Sequence, residues 1–500
     1  MLYLLPEYIL LALGVAGVFV GIYGGRRAAG VFAVVGACLA GLGTIAGGAL
    51  LARIVALGPE AISAQLPRYL ALTFAFDPFS AFFAVFALGV CAISLLFSAE
   101  YVRETLEENY GEFLALICFA SLAMVCLARA RELITLYFSV EFLSITGYIM
   151  AGFRHHDERS VEAGLKYFLF GAVCSCLMLF GISYVYGATQ TTDLEHIARA
   201  LFGRGPGPSA FSPTVVTGLF MILVGLGFKV AMVPFHLWCP DVYEGAPTPV
   251  TAYLSVGPKG AGFAVLIRTL FVAFTAWPEY GMAHSAWFGA LAIASAVTMT
   301  LGNLVAIQQR NIKRMLAYSS IAHAGYLLIG LAAAEDFKVA LPAVLIYLVA
   351  YAFMNLGAFA VVIGFSRSEG TDELDAYGGL MHRAPYLAVA WFIFVLSLVG
   401  LPPTTGFIGK LYLFLAAIGA KIYWLAVCLV INSVISLYYY VDVARRMFIE
   451  KPATKEPIPV GAATGVALAI CLAGTLLPVF FWPALEAWAT MASHILGGPR

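Results

Sequence analysis

Apolar residues run through the chain in stretches of about twenty, and short polar segments separate the stretches. An α-helix rises about 1.5 Å per residue, so a stretch of this length crosses the ~30 Å hydrocarbon core of a bilayer. The pattern therefore predicts an all-α polytopic membrane protein with about fourteen transmembrane helices. The predicted spans are 2–23, 28–51, 76–98, 111–128, 132–153, 160–187, 215–239, 249–274, 284–307, 313–332, 338–365, 385–419, 422–447 and 458–482.

Proline interrupts two of these spans near membrane depth. Pro234 lies at the end of the seventh span, and Pro402 with Pro403 divides the twelfth. Because proline removes a backbone donor, each interruption predicts a discontinuous helix whose freed carbonyl groups need water or polar side chains. Two interrupted helices at corresponding places are typical of inverted-repeat transporters, whose sites lie near the midplane. Pairing spans 4–8 with spans 9–13 places Lys229 and Lys410 at equivalent positions.

This pairing predicts two inverted five-helix repeats inside a longer chain. The predicted regions are an N-terminal three-helix segment (1–110), a first repeat (111–280), a second repeat (281–449), and a C-terminal helix and tail (450–500). Lysine and arginine residues outside the spans are modestly enriched on one side. By the positive-inside rule, that bias predicts both termini on the outer side of the membrane.

Composition excludes a soluble protein, since 62% of the 500 residues are hydrophobic and only 11% are charged. The formal net charge is zero, so no basic face for nucleic acid is predicted. The nine cysteines lie in or beside apolar spans and lack the spacing of zinc or iron–sulfur sites, so no metal site is predicted. No Rossmann or P-loop glycine pattern is present, and redox and nucleotide chemistry is therefore expected on other chains.

Four basic residues stand apart from the others because they lie inside apolar spans. All four are lysines: Lys166, Lys229, Lys259 and Lys410. A charged side chain at the centre of a bilayer helix costs ~2.5–3.5 kcal/mol on insertion scales, so these positions need a reason. Buried lysine can lose its proton near neutral pH, whereas arginine stays charged, and this choice favours proton transfer. The alternative is that the lysines only tether helices through salt bridges.

Glu141 is the acidic residue that matches these lysines, because it lies far from both ends of the fifth span. Paired with Lys166 on the next helix, it would set how easily Lys229 loses a proton. A static buried salt bridge is the simpler interpretation of the same pair.

Two histidines are candidate proton carriers. His236 follows the Pro234 break, and His323 lies inside the tenth span. Imidazole exchanges protons near neutral pH, and the accessory hydroxyls of Ser319, Ser320 and Tyr326 would extend a hydrogen-bonded path with water. A histidine of this kind equally serves as a satisfied packing residue between helices.

Three motifs carry a resemblance that covers essentially the whole chain. They are VPFHLWCPDVYEGAPTPVTAYLSVGPK, RNIKRMLAYSSIAHAGYLL and SLVGLPPTTGFIGKLYLF. They resemble the antiporter-like membrane subunits of respiratory complex I, the proton-pumping NADH:quinone oxidoreductase, a family that also includes large subunits of multisubunit Na+/H+ antiporters. The run DVYEGAPTPVT and a lysine at 410 look like the N type of subunit, and no segment for a lateral helix follows the last span. Cys239 stands where the family pattern has threonine, a departure expected to affect helix packing more than chemistry.

The resemblance implies a role for each buried ionisable residue. Glu141 and Lys166 look like a modulating pair, Lys229 like the central proton-carrying lysine, Lys259 like a connecting lysine, and Lys410 like the lysine toward the opposite face. Protons would cross between half-channels along this row.

The resemblance also implies a proton-translocating translocase subunit in a bacterial inner membrane, coupled to NADH:quinone electron transfer. The chain itself would hold no cofactor, while NADH, flavin, iron–sulfur clusters and quinone would bind partner subunits. Its expected partners are other complex I membrane subunits, similar antiporter-like subunits among them, and the lipid bilayer. The alternatives are a subunit of a multisubunit Na+/H+ antiporter, the equivalent subunit of a ferredoxin-driven photosynthetic complex, and a purely structural membrane subunit.

Overall fold

The protein is described by a computed structural model that covers residues 2–59, 62, 65–106, 108–203, 212–275, 286–334, 337–452, 454 and 456–495. The predicted boundary between the two repeats, at 280/281, lies outside these residues. The first half of the chain contains α1 (Leu5–Tyr23), α2 (Arg26–Leu57), α3 (Arg68–Thr73), α4 (Pro78–Glu104), α5 (Tyr110–Arg129), α6 (Leu133–Ala151), α7 (Glu158–Thr189), α8 (Leu194–Phe202), α9 (Pro213–Val230), α10 (Trp238–Gly245) and α11 (Thr248–Arg268).

The second half contains nine further helices in the described residues. They are α12 (Ala286–Ala306), α13 (Ile312–Ala332), α14 (Phe337–Glu369), α15 (Leu380–Arg383), α16 (Pro385–Val399), α17 (Thr405–Gly419), α18 (Tyr423–Ile449), α19 (Ala462–Leu476) and α20 (Trp482–Ala492). A π-helical turn, Thr269–Ala273, extends α11.

The all-α membrane architecture is confirmed. In the described part of the chain, 13 helices are long and apolar enough to cross a membrane. Two shorter apolar helices, α16 and α17, occupy the predicted twelfth span on either side of its break.

Four helices form the centre of the bundle. Helices α4, α11, α13 and α14 are buried along nearly all of their apolar length, whereas α1, α2, α7, α18 and α19 expose much of theirs. A helix that is apolar all round belongs inside a bundle, and polar side chains on such a helix have no water to face. Polar residues midway along α11, α13 and α14, such as Lys259, His323 and Asn355, therefore lie in the protein interior.

Short backbone bridges tie the helix ends together at two matching places. The N–H of Leu133, the first residue of α6, donates to the oxygen of Thr192 (2.9 Å), just after α7. The N–H of Ile312, the first residue of α13, donates to the oxygen of Asp372 (2.8 Å), just after α14. Each bridge thus fixes the start of one long helix against the end of the next.

Candidate functional site

The first predicted break is confirmed, because α9 and α10 are separated by an unwound segment that contains Pro234. Its backbone groups find partners within the protein. The indole of Trp238 donates to the oxygen of Phe228 (3.2 Å), and the N–H of Val233 donates to the hydroxyl of Thr298 (3.1 Å). Irregular backbone at membrane depth is tolerated where neighbouring groups satisfy it in this way.

Lys229 lies in the last turn of α9, directly before the break, and is only 2% exposed. Its ammonium group has no hydrogen-bond partner among the described residues. The charge that acts on it is that of Glu141, on α6. The Lys229 side chain packs against α11, where a Cβ added to Gly262 would lie 3.3 Å from the Lys229 Cβ. Lys229 is therefore a buried cation without a tethering salt bridge.

Lys259 lies at the centre of α11, directly after Pro258, and is 2% exposed. It is one helical turn from the glycine that packs on Lys229. Its ammonium group donates a hydrogen bond to the hydroxyl of Ser320, which lies 2.7 Å from the hydroxyl of Tyr351. The same ammonium lies 5.9 Å from the centre of the Tyr243 ring, a distance at which a cation is attracted to the ring face. Lys259 thus joins α11 to a hydroxyl pair on α13 and α14.

His323 continues this polar row on α13. Its Nδ1 lies 2.6 Å from the hydroxyl of Tyr347, and its Nε2 lies 3.4 Å from the hydroxyl of Tyr440. Tyr440 in turn is hydrogen-bonded to Ser319. His323 shares a face of α13 with Ser319 and Ser320, which lie four and three positions before it on the helix. Both ring nitrogens of His323 therefore have a hydroxyl within reach.

The second predicted break, at Pro402 and Pro403, is also confirmed between α16 and α17. Lys410, in the second turn of α17, points back across it. Its ammonium donates to the oxygen of Val399 (2.8 Å) and to the hydroxyl of Ser433 (3.2 Å).

The aromatic ring of Tyr326 and the backbone of Gly400 lie next to the Lys410 side chain. The Lys410 ammonium lies 4.4 Å from the centre of the Tyr326 ring. Gly400 has a φ of +88°, and a Cβ there would lie 2.7 Å from the Lys410 Cδ. Gly400 therefore supplies both the left-handed turn that ends α16 and the space for the lysine stem.

The two break lysines differ in their place along the chain. Lys229 belongs to the half-helix before its break, whereas Lys410 belongs to the half-helix after its break. That the two lysines occupy equivalent positions in two repeats stays a prediction. Both lysines lie beside a break, and the Lys410 side chain folds back to reach the carboxyl end of the preceding half-helix, α16.

The predicted ion pair between Glu141 and Lys166 is wrong. Glu141 accepts a hydrogen bond from Ser175. Lys166 instead binds Asp241 (2.6 Å) and Glu162 (2.7 Å), and its side chain is 38% exposed in the isolated chain. Lys166 is therefore not one of the buried lysines.

The reason is the antiparallel register of α6 and α7. Gly152, just after α6, lies against Gly164 near the start of α7, and Glu141 lies level with Ser175. Lys166 is nine residues from Ser175, which is about 13 Å along a helix. That distance is too great for an ion pair, and it depends on the length of the turn between the helices.

Asp241, which the sequence analysis did not single out, organises the charges at this end of the bundle. It accepts hydrogen bonds from Lys166 and, at 2.7 Å, from Arg314, which also binds Glu244. Burial raises the pKa of the Asp241 carboxyl, but the hydrogen bonds and charges of Lys166 and Arg314 outweigh burial and hold its pKa below the ordinary value. Asp241 is therefore ionised throughout the neutral range.

One buried lysine was missed because it stands at the end of an apolar span. Lys313, at the start of the predicted tenth span and counted there among the basic residues at span ends, is 2% exposed and donates to the oxygen of Ala246 (2.8 Å). Asp372 lies 3.6 Å from its ammonium. Lys313 lines a cavity of about 260 Å³ that also contains Glu100, Arg154, Arg367 and Asp372. Polarity at the end of a span carries no signal that distinguishes a solvated loop from a charged cavity.

We call Lys229, Lys259, His323 and Lys410 the central row. Several partners of the central row were not identified from the sequence. Tyr347, Tyr351 and Asn355 lie four residues apart on one face of α14, and Asn355 donates to the hydroxyl of Ser255 (2.7 Å). A search for polar residues at four-residue spacing in the eleventh span finds this stripe. Cys239 lies buried beside Lys259, so the one departure from the family pattern is next to the row rather than remote from it.

His236 lies in the unwound segment, as predicted, and is buried. Its Nδ1 has no hydrogen-bond partner among the described residues. No side-chain hydrogen bond among the described residues joins His236 to His323, and its relay role stays a prediction.

The central row can do one kind of chemistry well. Lys229, Lys259 and Lys410 are buried, and no carboxylate of the described residues forms a salt bridge with any of them. Hydroxyl groups and one imidazole fill the space between Lys259 and Lys410. Such groups exchange protons without binding a large ligand. The one set of three metal-type ligands in the described residues, Glu108 with His155 and His156, lies away from this row.

The sequence of this chain is similar to those of known membrane proteins. The family model described as "NADH:quinone oxidoreductase/Mrp antiporter, TM" matches residues 130–436, which include the whole central row. The NADH-quinone oxidoreductase subunit N of Anaeromyxobacter sp. (strain Fw109-5) is 42% identical over 84% of this chain and 85% of its own length. The subunit N of Trichlorobacter lovleyi is 40% identical over 95% of this chain and 93% of its own length.

Solved structures extend the similarity to three dimensions. A chain of respiratory complex I from Thermus thermophilus with bound aureothin is 31% identical, with a TM-score of 0.73 over 96% of this chain and 99% of that one. A chain of the Mrp complex from Dietzia sp. DQ12-45-1b is 20% identical, with a TM-score of 0.81 over 98% of this chain and 97% of that one, a likeness of fold alone.

Proposed function

Because the chain belongs to the NADH:quinone oxidoreductase/Mrp antiporter family, we propose that it is the N-type membrane subunit of a proton-translocating NADH:quinone oxidoreductase. Its relatives that cover most of the chain carry that subunit name, and a complex I chain shares its fold. The chain moves protons across the membrane, and its partners are the other membrane subunits of the complex.

The observation that carries this proposal is the row of buried cations without counter-ions. Lys229, Lys259 and Lys410 lie inside the helical bundle, and hydroxyls or an imidazole provide the groups between the last two. A lysine that only tethers helices would face a carboxylate at contact distance. A buried lysine that changes its protonation state needs instead a partner that can accept or deliver a proton.

In this mechanism each charge changes the proton affinity of the next group. Two unit charges about 7 Å apart interact by roughly 2.4 kcal/mol at an effective dielectric near 20, worth nearly two pKa units. Glu141 is the acid whose charge acts on Lys229. It has this role without Lys166, which was predicted to pair with it. A change in the charge of Glu141 would change the proton affinity of Lys229, and the charge would then pass through Lys259 and His323 to Lys410.

Electron transfer takes place elsewhere in this proposal. NADH, flavin, iron–sulfur clusters and quinone would bind partner subunits, and this chain would supply only the proton path. We place the chain in a bacterial inner membrane because its relatives are bacterial, and the distribution of lysine and arginine between its loops supports both termini on the outer side.

The five-helix repeats are also part of the proposal. The bridge from Leu133 to Thr192 and the bridge from Ile312 to Asp372 lie 179 and 180 residues apart by subtraction (312 − 133, 372 − 192). Lys229 and Lys410 lie 181 residues apart (410 − 229), each beside a proline break. This near-constant separation supports pairing α5–α11 with α12–α18.

The experiment that tests the function uses inverted membrane vesicles carrying Lys229→Ala. NADH-driven proton uptake and NADH:quinone activity are measured, and assembly is checked on a native gel. The matched control is Lys338→Ala, because Lys338 is an exposed lysine at the start of α14. We expect uptake to collapse in the assembled Lys229 variant and to remain at the parent level in the control.

The other outcomes separate the alternatives. Parent rates in an assembled Lys229 variant would make that lysine structural. If the chain is absent from every NADH-oxidising complex and supports cation/proton exchange without NADH, the antiporter alternative replaces the proposal.

A further inference from the structure

Two loops at one end of the bundle bring together three metal-type ligands that the proton path does not use. Glu108 lies in the connection between α4 and α5, and His155 with His156 lies in the connection between α6 and α7. The Nε2 of His155 is 3.1 Å from the Oε1 of Glu108, and the ligand atoms of all three residues lie within 4.8 Å of one another. Residues from two separate connections thus converge on one point.

One of the three spacings is close to that of a tetrahedral metal site, and the other two are within 4.8 Å. Zinc binds imidazole nitrogen and carboxylate oxygen at about 2.0–2.2 Å, so ligand atoms at the corners of a tetrahedron are roughly 3.3–3.6 Å apart. The contact between His155 and Glu108 already lies near this value, and small side-chain rotations would bring the Nδ1 or Nε2 of His156 into place. Two imidazoles and one carboxylate suit zinc, since calcium and magnesium prefer oxygen ligands.

The surroundings leave room for the ion and a path to it. The side chains of His155 and Glu108 are 52% and 56% exposed, and the three residues line an open cavity of about 280 Å³. Asp157 lines the same cavity and is bound to Arg154. Water or Asp157 could complete the coordination at the fourth position, as in sites with three protein ligands.

A simple hydrogen bond between His155 and Glu108 does not account for the second histidine. The ring centres of His155 and His156 are 3.9 Å apart, and the His156 ring forms no hydrogen bond with the described residues. We propose that Glu108, His155 and His156 form a zinc site that joins the α4–α5 connection to the α6–α7 connection. The site is separate from the proposed proton path, and its test does not depend on that function.

The test measures zinc binding to the purified complex by equilibrium dialysis with Zn²⁺, in the presence of excess Mg²⁺. The double variant His155→Ala/His156→Ala should lose one bound zinc or bind it at least about a hundredfold more weakly, because two of three ligands are gone. Glu108→Gln should weaken binding less. The matched control is His196→Ala, since His196 is an exposed histidine beside a carboxylate outside this cluster. An unchanged zinc content in the double variant, or an equal loss in the control, would overturn the proposal.

A second measurement needs no variant. Zinc bound across both connections should slow amide hydrogen exchange in the peptides that cover 105–110 and 152–158, and a chelator should reverse the effect. Unchanged exchange in both peptides on adding zinc at pH 7.5 would contradict the site.

Discussion

The ammonium group of Lys410 donates a hydrogen bond of 2.8 Å to the backbone oxygen of Val399, the last residue of the half-helix that precedes the break. The last carbonyl groups of a helix lack partners within it and form the negative end of the helix dipole. A lysine from the following half-helix therefore satisfies the end of the preceding one. This contact explains how a residue in the second turn of α17 belongs to the break itself, and it stabilises the charged form of the lysine.

Lys410→Arg tests whether position 410 must transfer a proton or only carry a positive charge. Arginine keeps the positive charge and can still donate to Val399, but it does not lose its proton in a protein. We expect the complex to assemble while NADH-driven proton uptake falls at least about a hundredfold, within the range that a positioned proton-transfer group contributes. Uptake by vesicles, normalised to assembled complex, measures the effect.

The control for this substitution is Lys338→Arg, at an exposed lysine. It should leave uptake unchanged. Full uptake in the assembled Lys410→Arg complex would show that position 410 requires only a fixed charge.

Ser320→Ala tests the link between Lys259 and Tyr351. The hydroxyl of Ser320 accepts from Lys259 and lies 2.7 Å from the Tyr351 hydroxyl, so its removal leaves the lysine without that partner. A hydrogen bond to a charged group is worth ~1.5–3 kcal/mol, which corresponds to a slowdown of roughly ten- to a hundredfold. The rate of proton uptake is the measurement.

Ser98→Ala is the matched control for Ser320→Ala, because among the described residues the buried Ser98 hydroxyl bonds only to the oxygen of Ser94 in its own helix. We expect the control to pump at the parent rate. Equal rates for the two variants would place the Ser320 hydroxyl outside the path.

Asp241→Asn tests the charge cluster at the end of the bundle through its pH dependence. Lys166 and Arg314 hold the pKa of the folded-state carboxyl below its ordinary value, so the pairing contributes stability above about pH 4 and loses it as the pH falls through the lowered pKa. The contribution is small, on the order of 1 kcal/mol or less, because the carboxylate is partly exposed and both cations keep a second carboxylate.

The measurement is the thermal midpoint of the purified complex between pH 3.5 and 8. The parent should exceed Asp241→Asn by a constant margin from pH 5 to pH 8, and the margin should narrow below pH 4. A margin that changes between pH 6 and pH 8 would assign the effect to another group.

Sequence patterns predicted the parts of this structure that depend on single spans. Stretches of apolar residues predicted the helices, and prolines predicted both breaks. Each of these features depends on the length or chemistry of a single segment. The buried positions of Lys229, Lys259 and Lys410 followed for the same reason. Each lies well inside an apolar stretch, where the chain leaves no path to water.

Relationships between helices could not be predicted in this way. The mistaken pair of Glu141 and Lys166 needed the register of α6 against α7, which is set by glycine contacts that no single span reveals. Lys313 and Asp241 were missed because residues near helix ends look alike whether they face water or a charged cavity. The hydroxyls around His323 come from three helices, and only the fold brings them together.

Asp77→Asn should be the most destabilising of these substitutions, because Asp77 is the counter-ion of a buried arginine. Both carboxylate oxygens of Asp77 accept from Arg268 at 2.9 Å, and the two side chains are 0% and 2% exposed. Removing one partner of a buried pair leaves an uncompensated charge and costs ~3–5 kcal/mol, whereas replacing both by apolar groups of similar size is often nearly neutral. We therefore expect a large fall in the thermal midpoint for Asp77→Asn and recovery in Asp77→Leu/Arg268→Met. Asp442→Asn is the control, since Asp442 pairs with Arg445 and Arg446 where all three side chains are partly exposed, and its loss should change stability by less than about 1 kcal/mol. If Asp77→Asn unfolds at the same temperature as Asp442→Asn, the buried pair does not hold α4 against α11.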